Sequence, residues 1–442
     1  MKKSASGRAS TLASNMLATA VGNAVTPAAA LISMPILAYN LGVTGRGEVA
    51  AATAPLMLAI TAATFGLPEA VTYFTARNPR VMAAAATRAG AWITGAGVVS
   101  MAICFVASDL LAGGDPGIER LILVAILSVI PTLLVLVLHA CAAAVQSFDL
   151  VAWDQGIVAV GRLVAISALA IFGALTPLTA TIVISTTPLL GGLAYLKLGS
   201  RYRRADRGEQ PVEPTGSRQL LQYGSRVWLG SLSGVLLARL DQAIMTPLSN
   251  AFQLGLYAVA VNVSDVALII HSAIRDVTFA AESARRDDAR LCASARISTA
   301  ISLALCCALG IGIPIGLPLL FGADFRAAIP AAFGLLVAVI AVIPGAIAGV
   351  GLSARGRPGL RSAALFAAVV ANVGSLVLLV PHFGAFGASL ATVLGNLVFS
   401  QMCIVWYCRL SGVRAREFYG LRSSDISIIR AKMRRVMTRS AS

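Results

Sequence analysis

The sequence predicts an all-α membrane protein of about twelve transmembrane helices, in two six-helix bundles related by pseudo-two-fold symmetry. Three observations predict it. With 57% apolar and only 12% charged residues among 442, the chain has too little polar surface to solvate a soluble globule. The apolar residues gather into twelve runs of roughly 20 to 30, enough at about 1.5 Å per residue to cross a hydrocarbon core of about 30 Å. The basic residues, finally, collect in every second gap between those runs.

The first six runs cover residues 12–38, 49–74, 83–107, 121–145, 151–173 and 177–198. Lys2 and Lys3 ahead of the first run mimic a secretory signal, but the run is too long and lacks a small-residue cleavage site, so it reads as an uncleaved span. A basic, proline-containing gap with Arg201, Arg203, Arg204, Arg207, Pro211 and Pro214 follows and reads as a linker. The second six runs cover 219–246, 252–280, 295–321, 328–353, 362–380 and 386–409. The expected domains are therefore a bundle over 1–200, a linker over 201–218, a bundle over 219–410 and a basic tail over 411–442. Gaps on the side of the N-terminus hold 28 Lys and Arg, the opposite gaps only Arg46, Arg120 and Arg326. That asymmetry predicts a multi-pass protein of the cytoplasmic membrane with both termini in the cytoplasm. The tail spaces Ile426, Ile429, Met433, Val436 and Met437 helically among basic residues, predicting an interfacial helix capped by Ser424 or Asp425 and held by anionic lipids.

The halves repeat each other. Leu41-Gly42 through Gly47 and its following run align with Asn250 through Gly255 and theirs, about 208 positions later. Six helices is an even number, so both halves have one orientation, related by an axis along the membrane normal.

The net charge of +16 does not indicate nucleic acid, because the basic residues lie in loops between apolar runs. The seven cysteines and three histidines show no metal-ligand spacing, and no nucleophile–base arrangement is present; the reading excludes catalysis, metal and cofactor. Gly45-Arg46-Gly47 reads as a turn, too short for a nucleotide fingerprint.

What stands out instead are charges inside spans, where each costs at least about 2.5 kcal/mol. Arg162 lies near the middle of its span and is the first candidate for a cavity cation, with Arg226, Arg239 and Arg275 beside it as substrate-binding candidates. Packing against a carboxylate, or snorkelling to the interface, is the competing reading for each. Asp265 is central in its span and is the candidate coupling-ion or proton site; a buried pair with a neighbouring arginine is the alternative. Asp241, Asp276 and Glu69 complete the coupling and gating candidates. Arg239 and Asp241 project about 160° apart, whereas Asp265 and Asp276 fall within about 20° of one face. Glu69, after Pro68, caps a break or gates entry. His139 reads as a packing residue, and Asn15, Asn23, Gln155, Gln242 and Asn262 as hydrogen-bond partners for a polar cargo or as helix contacts.

Three stretches carry a resemblance: Leu41-Gly42-Val43-Thr44-Gly45-Arg46-Gly47-Glu48 with Phe65-Gly66-Leu67-Pro68-Glu69-Ala70; Arg239-Leu240-Asp241 with Leu254-Gly255-Leu256-Tyr257-Ala258-Val259-Ala260; and Gly356-Arg357-Pro358 with Phe383-Gly384-Ala385-Phe386-Gly387-Ala388-Ser389-Leu390-Ala391-Thr392. In order and spacing they resemble the Wzx-type flippases, the polysaccharide transporter family of the multidrug/oligosaccharidyl-lipid/polysaccharide (MOP) exporter superfamily. The resemblance implies a MATE-like fold, alternating access, and transfer of a polyprenyl-pyrophosphate-linked oligosaccharide for capsule, exopolysaccharide or O-antigen-like assembly. A polysaccharide polymerase and a chain-length regulator are the protein partners it suggests, and it leaves Na+ or H+ open as coupling ion. The alternatives are a multidrug cation antiporter of the same superfamily, a lipid II flippase, and a non-transporting membrane scaffold for polysaccharide assembly.

Overall fold

The computed structural model describes residues 2–198, 216–284, 287–422 and 425; the side chains of 2–28, of Lys197 and of several positions between 269 and 284 lie outside that description. Of the linker expected over 201–218, residues 201–215 fall outside it while Ser217 and Arg218 already belong to a helix, and the tail helix expected beyond Asp425 falls outside it, as do the side chains of Asn15, Asn23 and Asp276. Among the described residues every regular element is helical.

Chain order runs α1 (Lys2–Ala63), α2 (Leu67–Arg77), α3 (Met82–Val106), α4 (Ser108–Ala112), α5 (Pro116–Ile126), α6 (Val129–Ala144), α7 (Phe148–Ile171) and α8 (Pro177–Gly191). After the linker come α9 (Ser217–Leu248), α10 (Ala251–Ala284), α11 (Asp288–Phe321), α12 (Ile329–Ala354) and α13 (Pro358–Ser411). Two of these are broken. At 62 residues α1 would exceed twice the membrane thickness, and it is interrupted at Gly42 (φ 67°, ψ −174°). The 54 residues of α13 are likewise interrupted at Gly384 (φ 53°, ψ −130°). Both breaks use a backbone region open to glycine at no steric cost. The turn expected at Gly45-Arg46-Gly47 is thereby corrected: those residues are helical, and the reversal falls at Gly42.

Among the described residues eight helices are long and apolar enough to cross a membrane, nine with the bent pair Ala29–Ala63 and Leu67–Arg77; dividing α1 at Gly42 and α13 at Gly384 and adding the less apolar Ser217–Leu248 gives twelve segments of spanning length, 2–41, 43–77, 79–106, 116–144, 148–171, 177–196, 217–248, 251–284, 288–321, 323–354, 358–383 and 385–411. The second bends by 45° between Ala63 and Leu67, where Phe65 and Gly66 adopt positive φ and Pro68 opens the next helix. The helix over Ser217–Leu248 is the least apolar of the long ones, because Arg226, Arg239 and Asp241 lie along it.

Contacts divide the chain into two compact units, one of Met1–Gly255 with Leu320–Asp324, the other of Leu256–Leu319 with Phe325–Ser442. The division thus falls at Gly255, and α9 packs within the first unit. There Leu37, Val49, Ile166, Leu175 and Ala180 form a buried cluster joining α1, α7 and α8. In the second unit α12 lies against α13, and small residues set how close. The Ser400 hydroxyl accepts the Gly345 N–H at 3.0 Å, Asn396 Nδ2 donates to the Ala338 carbonyl at 3.0 Å, and a Cβ on Gly345 would strike the Ser400 backbone.

Candidate functional site

In the first unit the two copies of the repeated motif meet. The Cα of Gly47 lies against the carbonyl of Ala251, and the Cα of Gly255 lies against the carbonyl of Val43; a Cβ at either glycine would overlap that oxygen. Gly47 and Gly255 are 208 positions apart, as are Val43 and Ala251, so the contact is reciprocal between equivalent positions. Beside it Arg46 and Arg239 come close enough for their charges to bear on each other, and Arg46 Nε is buried with no hydrogen-bond partner. The sequence reading had placed Arg46 in an outer loop.

Arg162 is half-buried between α7 and α8, its Nε directed at the Thr187 hydroxyl at 3.5 Å. Along α9, Arg226 is exposed, Arg239 half-buried and Asp241 buried at 3% exposure, with Asp241 Oδ1 accepting the Gln242 N–H at 2.7 Å. Glu69 is exposed in the first turn of α2, where a carboxylate complements the helix N-terminus.

An aromatic ladder joins the 61–77 region to the first half of α9, and the sequence reading missed it. The Trp228 indole N–H donates to the carbonyls of Thr61 and Ala62 at 3.2 and 3.1 Å, just before the break after Ala63, where the Thr61 carbonyl also accepts from the Thr64 N–H and hydroxyl. The Phe65 ring stacks on Trp228 with centroids 4.7 Å apart, Tyr73 stacks on Tyr223 at 4.3 Å, and the Arg77 guanidinium lies over Tyr73 at 4.2 Å. Between the two stacks the Gly66 and Gly224 backbones touch; a Cβ on Gly224 would lie 2.6 Å from the Phe65 carbonyl. The sequence signal for it is the pair Phe65-Gly66 and Gly224, a glycine beside aromatic residues on each element.

In the second unit Asp265 and Arg275 are both half-buried on α10. The charge of Arg275 bears on Arg361, which the sequence reading had assigned to a loop but which sits in the first turns of α13, its aliphatic stem 3.3 Å from a Cβ built on Gly349. Arg361 Nε is buried without a hydrogen-bond partner, and so is Asn262 Nδ2. On the same helix His271 Nδ1 lies 3.2 Å from the Ser298 hydroxyl, and the Tyr257 hydroxyl 3.0 Å from that of Thr392.

One end of this unit is tied by ion pairs. Arg355 bonds Asp288, which also accepts from the Tyr407 hydroxyl, and the Arg355 guanidinium lies 4.5 Å over the Tyr407 ring. Arg296 donates from Nε and Nη2 to both Asp425 oxygens at 2.7 Å and from Nη1 to the Glu417 carbonyl at 2.6 Å. Those bonds hold the Asp425 carboxyl below the usual carboxylate range, with the Arg422 backbone N–H adding to them. The tail's start is thus docked on α11, and Asp425 serves as its anchor.

Among the described residues no cluster of three or more His, Cys, Asp or Glu could hold a metal ion. What this arrangement offers is a set of arginines within spans, glycine contacts that let backbones meet, and a bent helix clasped by aromatics.

The fold is that of the MOP superfamily transporters. An inward-facing multidrug resistance MATE family transporter of that superfamily matches with a TM-score of 0.63 at 15% identity, over 89% of this chain and 98% of its own. The lipid II flippase MurJ, in an inward closed conformation, matches at 0.69 and 9% identity over 90% and 88%. A MOP superfamily transporter from Pyrococcus furiosus, for which a binding pocket of reversed polarity is described, matches at 0.58 and 14% identity over 89% and 94%. Comparison with curated proteins gives no match. Residues 12–279 match the family described as polysaccharide biosynthesis protein, well over half of the chain, and the protein belongs to that family.

Proposed function

We propose that the protein flips a polyprenyl-pyrophosphate-linked oligosaccharide across the cytoplasmic membrane by alternating access, for assembly of a capsule, exopolysaccharide or O-antigen-like polymer. The observation that carries the reading is cationic: Arg162, Arg239 and Arg275 are half-buried within spans, with Arg46 and Arg361 alongside. Arginines kept in the membrane at such an energetic penalty give the interior a cationic character, and a pyrophosphate with an often acidic glycan is a cargo that matches it. The lipid tail can remain among the apolar helix faces, and no covalent bond changes, so no catalytic constellation is required.

In this reading the chain is organised as two six-helix halves, 1–200 and 219–410, with both termini in the cytoplasm. Arg162, Arg226, Arg239 and Arg275 serve the cargo, whereas Asp265, with Asp241, Asp276 and Glu69, serves coupling and gating. A multidrug cation antiporter would call for acidic rather than arginine-rich walls.

The test is the outer-leaflet appearance of polyprenyl-linked glycan in cells lacking the protein, complemented with wild type or Arg162→Ala at equal expression. Retention of glycan inside the deletion strain, unrelieved by Arg162→Ala, is expected. Normal outer-leaflet glycan in the deletion strain refutes the cargo.

A further inference from the structure

A second polar cluster lies in the first unit, away from the arginines assigned to cargo. His139 of α6, Asp154 of α7 and Tyr195 of the 3-10 turn Gly192–Lys197 bring three polar atoms into a triangle. His139 Nδ1 is 3.0 Å from Asp154 Oδ2, the Tyr195 hydroxyl donates to that same oxygen at 2.6 Å, and Tyr195 Oη is 3.0 Å from the same Nδ1. Asp154 is 8% exposed and Tyr195 4%, while the His139 side chain is 34% exposed. The carboxylate is seated with care: a Cβ on Gly191 would overlap Asp154 Oδ1, so only glycine there leaves room for it.

We infer that His139, Asp154 and Tyr195 form a proton-binding site that couples proton uptake to the conformational cycle. Three heavy atoms share two protons, one from the imidazole N–H and one from the phenol, and Asp154 accepts both. The cluster then carries one net negative charge in a largely dry setting. With Nδ1 committed to Asp154, the next proton goes to Nε2, and the cluster becomes a neutral imidazolium–carboxylate pair. The partly exposed ring supplies the entry path. Because the three groups come from three successive spans, gain or loss of that proton alters how α6, α7 and the end of α8 hold together.

Among the described residues no other charged side chain hydrogen-bonds to the cluster. On the elements packed around it, Asp149 and Arg162 share α7, Cys141 shares α6, Glu69, Tyr73 and Arg77 lie on α2, and Arg88 lies on α3. Arg162 is directed at Thr187 and Arg77 at the Tyr73 ring, and among the described residues none of these hydrogen-bonds to the three. Arg46 and Glu48 of α1 sit toward the other end of α7, where Gly45 lies beside Pro177; Glu119 and Arg120 of α5 also belong to that end.

Proton binding is tested on the full-length protein in lipid nanodiscs with nitrogen-15 histidine. Only three histidines are present, at 139, 271 and 382, and His139→Gln assigns the signal. The expected result is that the nitrogen signals of the His139 ring change from those of imidazole to those of imidazolium as the ring takes up its proton. A ring that keeps one form throughout overturns the inference. Tyr195→Phe, which keeps the ring's packing and removes its hydroxyl, should move that conversion in a folded protein; an unmoved conversion also overturns it.

The coupling half rests on the flippase reading, and its test is separate. Outer-leaflet glycan is followed in ionophore-treated cells held at two pH values either side of neutrality. Wild type should change rate at least about fivefold between them, and His139→Gln should flatten the dependence while some export persists. An unchanged pH profile in His139→Gln overturns the coupling. Wild-type cells that move no glycan at either pH refute the cargo instead, and the titration alone then decides the proton site.

Discussion

Trp228 offers the sharpest test of the ladder that joins the 61–77 region to α9. Its indole N–H serves the Thr61 and Ala62 carbonyls, and its ring faces Phe65 at 4.7 Å, so two substitutions separate the contributions. Trp228→Phe keeps an aromatic face and removes the N–H, taking a donor from the Ala62 carbonyl and leaving Thr61 to the Thr64 N–H and hydroxyl, which costs about 0.5–1.5 kcal/mol. Trp228→Ala also removes the stack and opens a void. Buried Trp→Ala changes cost about 3–5 kcal/mol, and a half-buried ring belongs near the lower figure. Trp153 is the control: it is 67% exposed, and its replacement by Ala should stay within about 0.5 kcal/mol. Unfolding in mixed micelles with increasing denaturing detergent, followed by helical circular dichroism, gives the three values. The reasoning fails if Trp228→Ala matches Trp153→Ala, or if Trp228→Phe is as damaging as Trp228→Ala.

Two further predictions concern contacts at other places. Gly47→Ala and Gly255→Ala should each destabilise by about 1–3 kcal/mol, since the added Cβ meets backbone that cannot move aside. Both act on one contact, so the double variant should fall short of their sum by at least about 0.5 kcal/mol in the same detergent titration; strict additivity would refute the reciprocal contact. At the tail, Asp425→Asn should release the 412–425 segment, read as faster trypsin cleavage after Arg414, Arg416 or Arg422 at neutral pH. Because the Asp425 carboxyl is held low by Arg296, the contact has full strength above the ordinary carboxylate range and weakens as pH falls below it through the lowered value. Amide hydrogen exchange of the segment should rise over that acidic window and not on the alkaline side.

Much of the fold was legible because burial in lipid leaves the backbone few options: apolar runs of spanning length must be helices, and their number and the basic gaps follow from composition. Register along each helix was less so. Arg46 and Arg361 were read as loop residues because each flanks a glycine-rich stretch, yet the true reversals come at Gly42 and at Gly356, leaving both arginines inside helices. The His139–Asp154–Tyr195 cluster was hidden for a different reason. Its members are 15 and 41 residues apart on three spans, and helix rotation, which sequence spacing does not encode, decides that they meet.

The repeat explains why Gly47 and Gly255 could be noticed early and their role only later. A contact made between equivalent positions of two copies uses one surface twice, as in a two-fold dimer: whatever a residue demands of its neighbour, its counterpart demands in return. Gly47 must lack a side chain because of the Ala251 carbonyl, and Gly255 because of the Val43 carbonyl, so a single steric requirement appears in the sequence as two glycines 208 positions apart. The pattern can be read from sequence without knowing that the copies touch. The ladder has no such echo. Phe65 and Gly66 meet Trp228 and Gly224, which stand at different places in the repeat, so that contact is asymmetric and only the folded chain reveals it. An element held symmetrically near Gly42 and asymmetrically near Gly66 has unequal attachments at its two ends, and unequal attachments are what a helix needs if one end is to let go before the other.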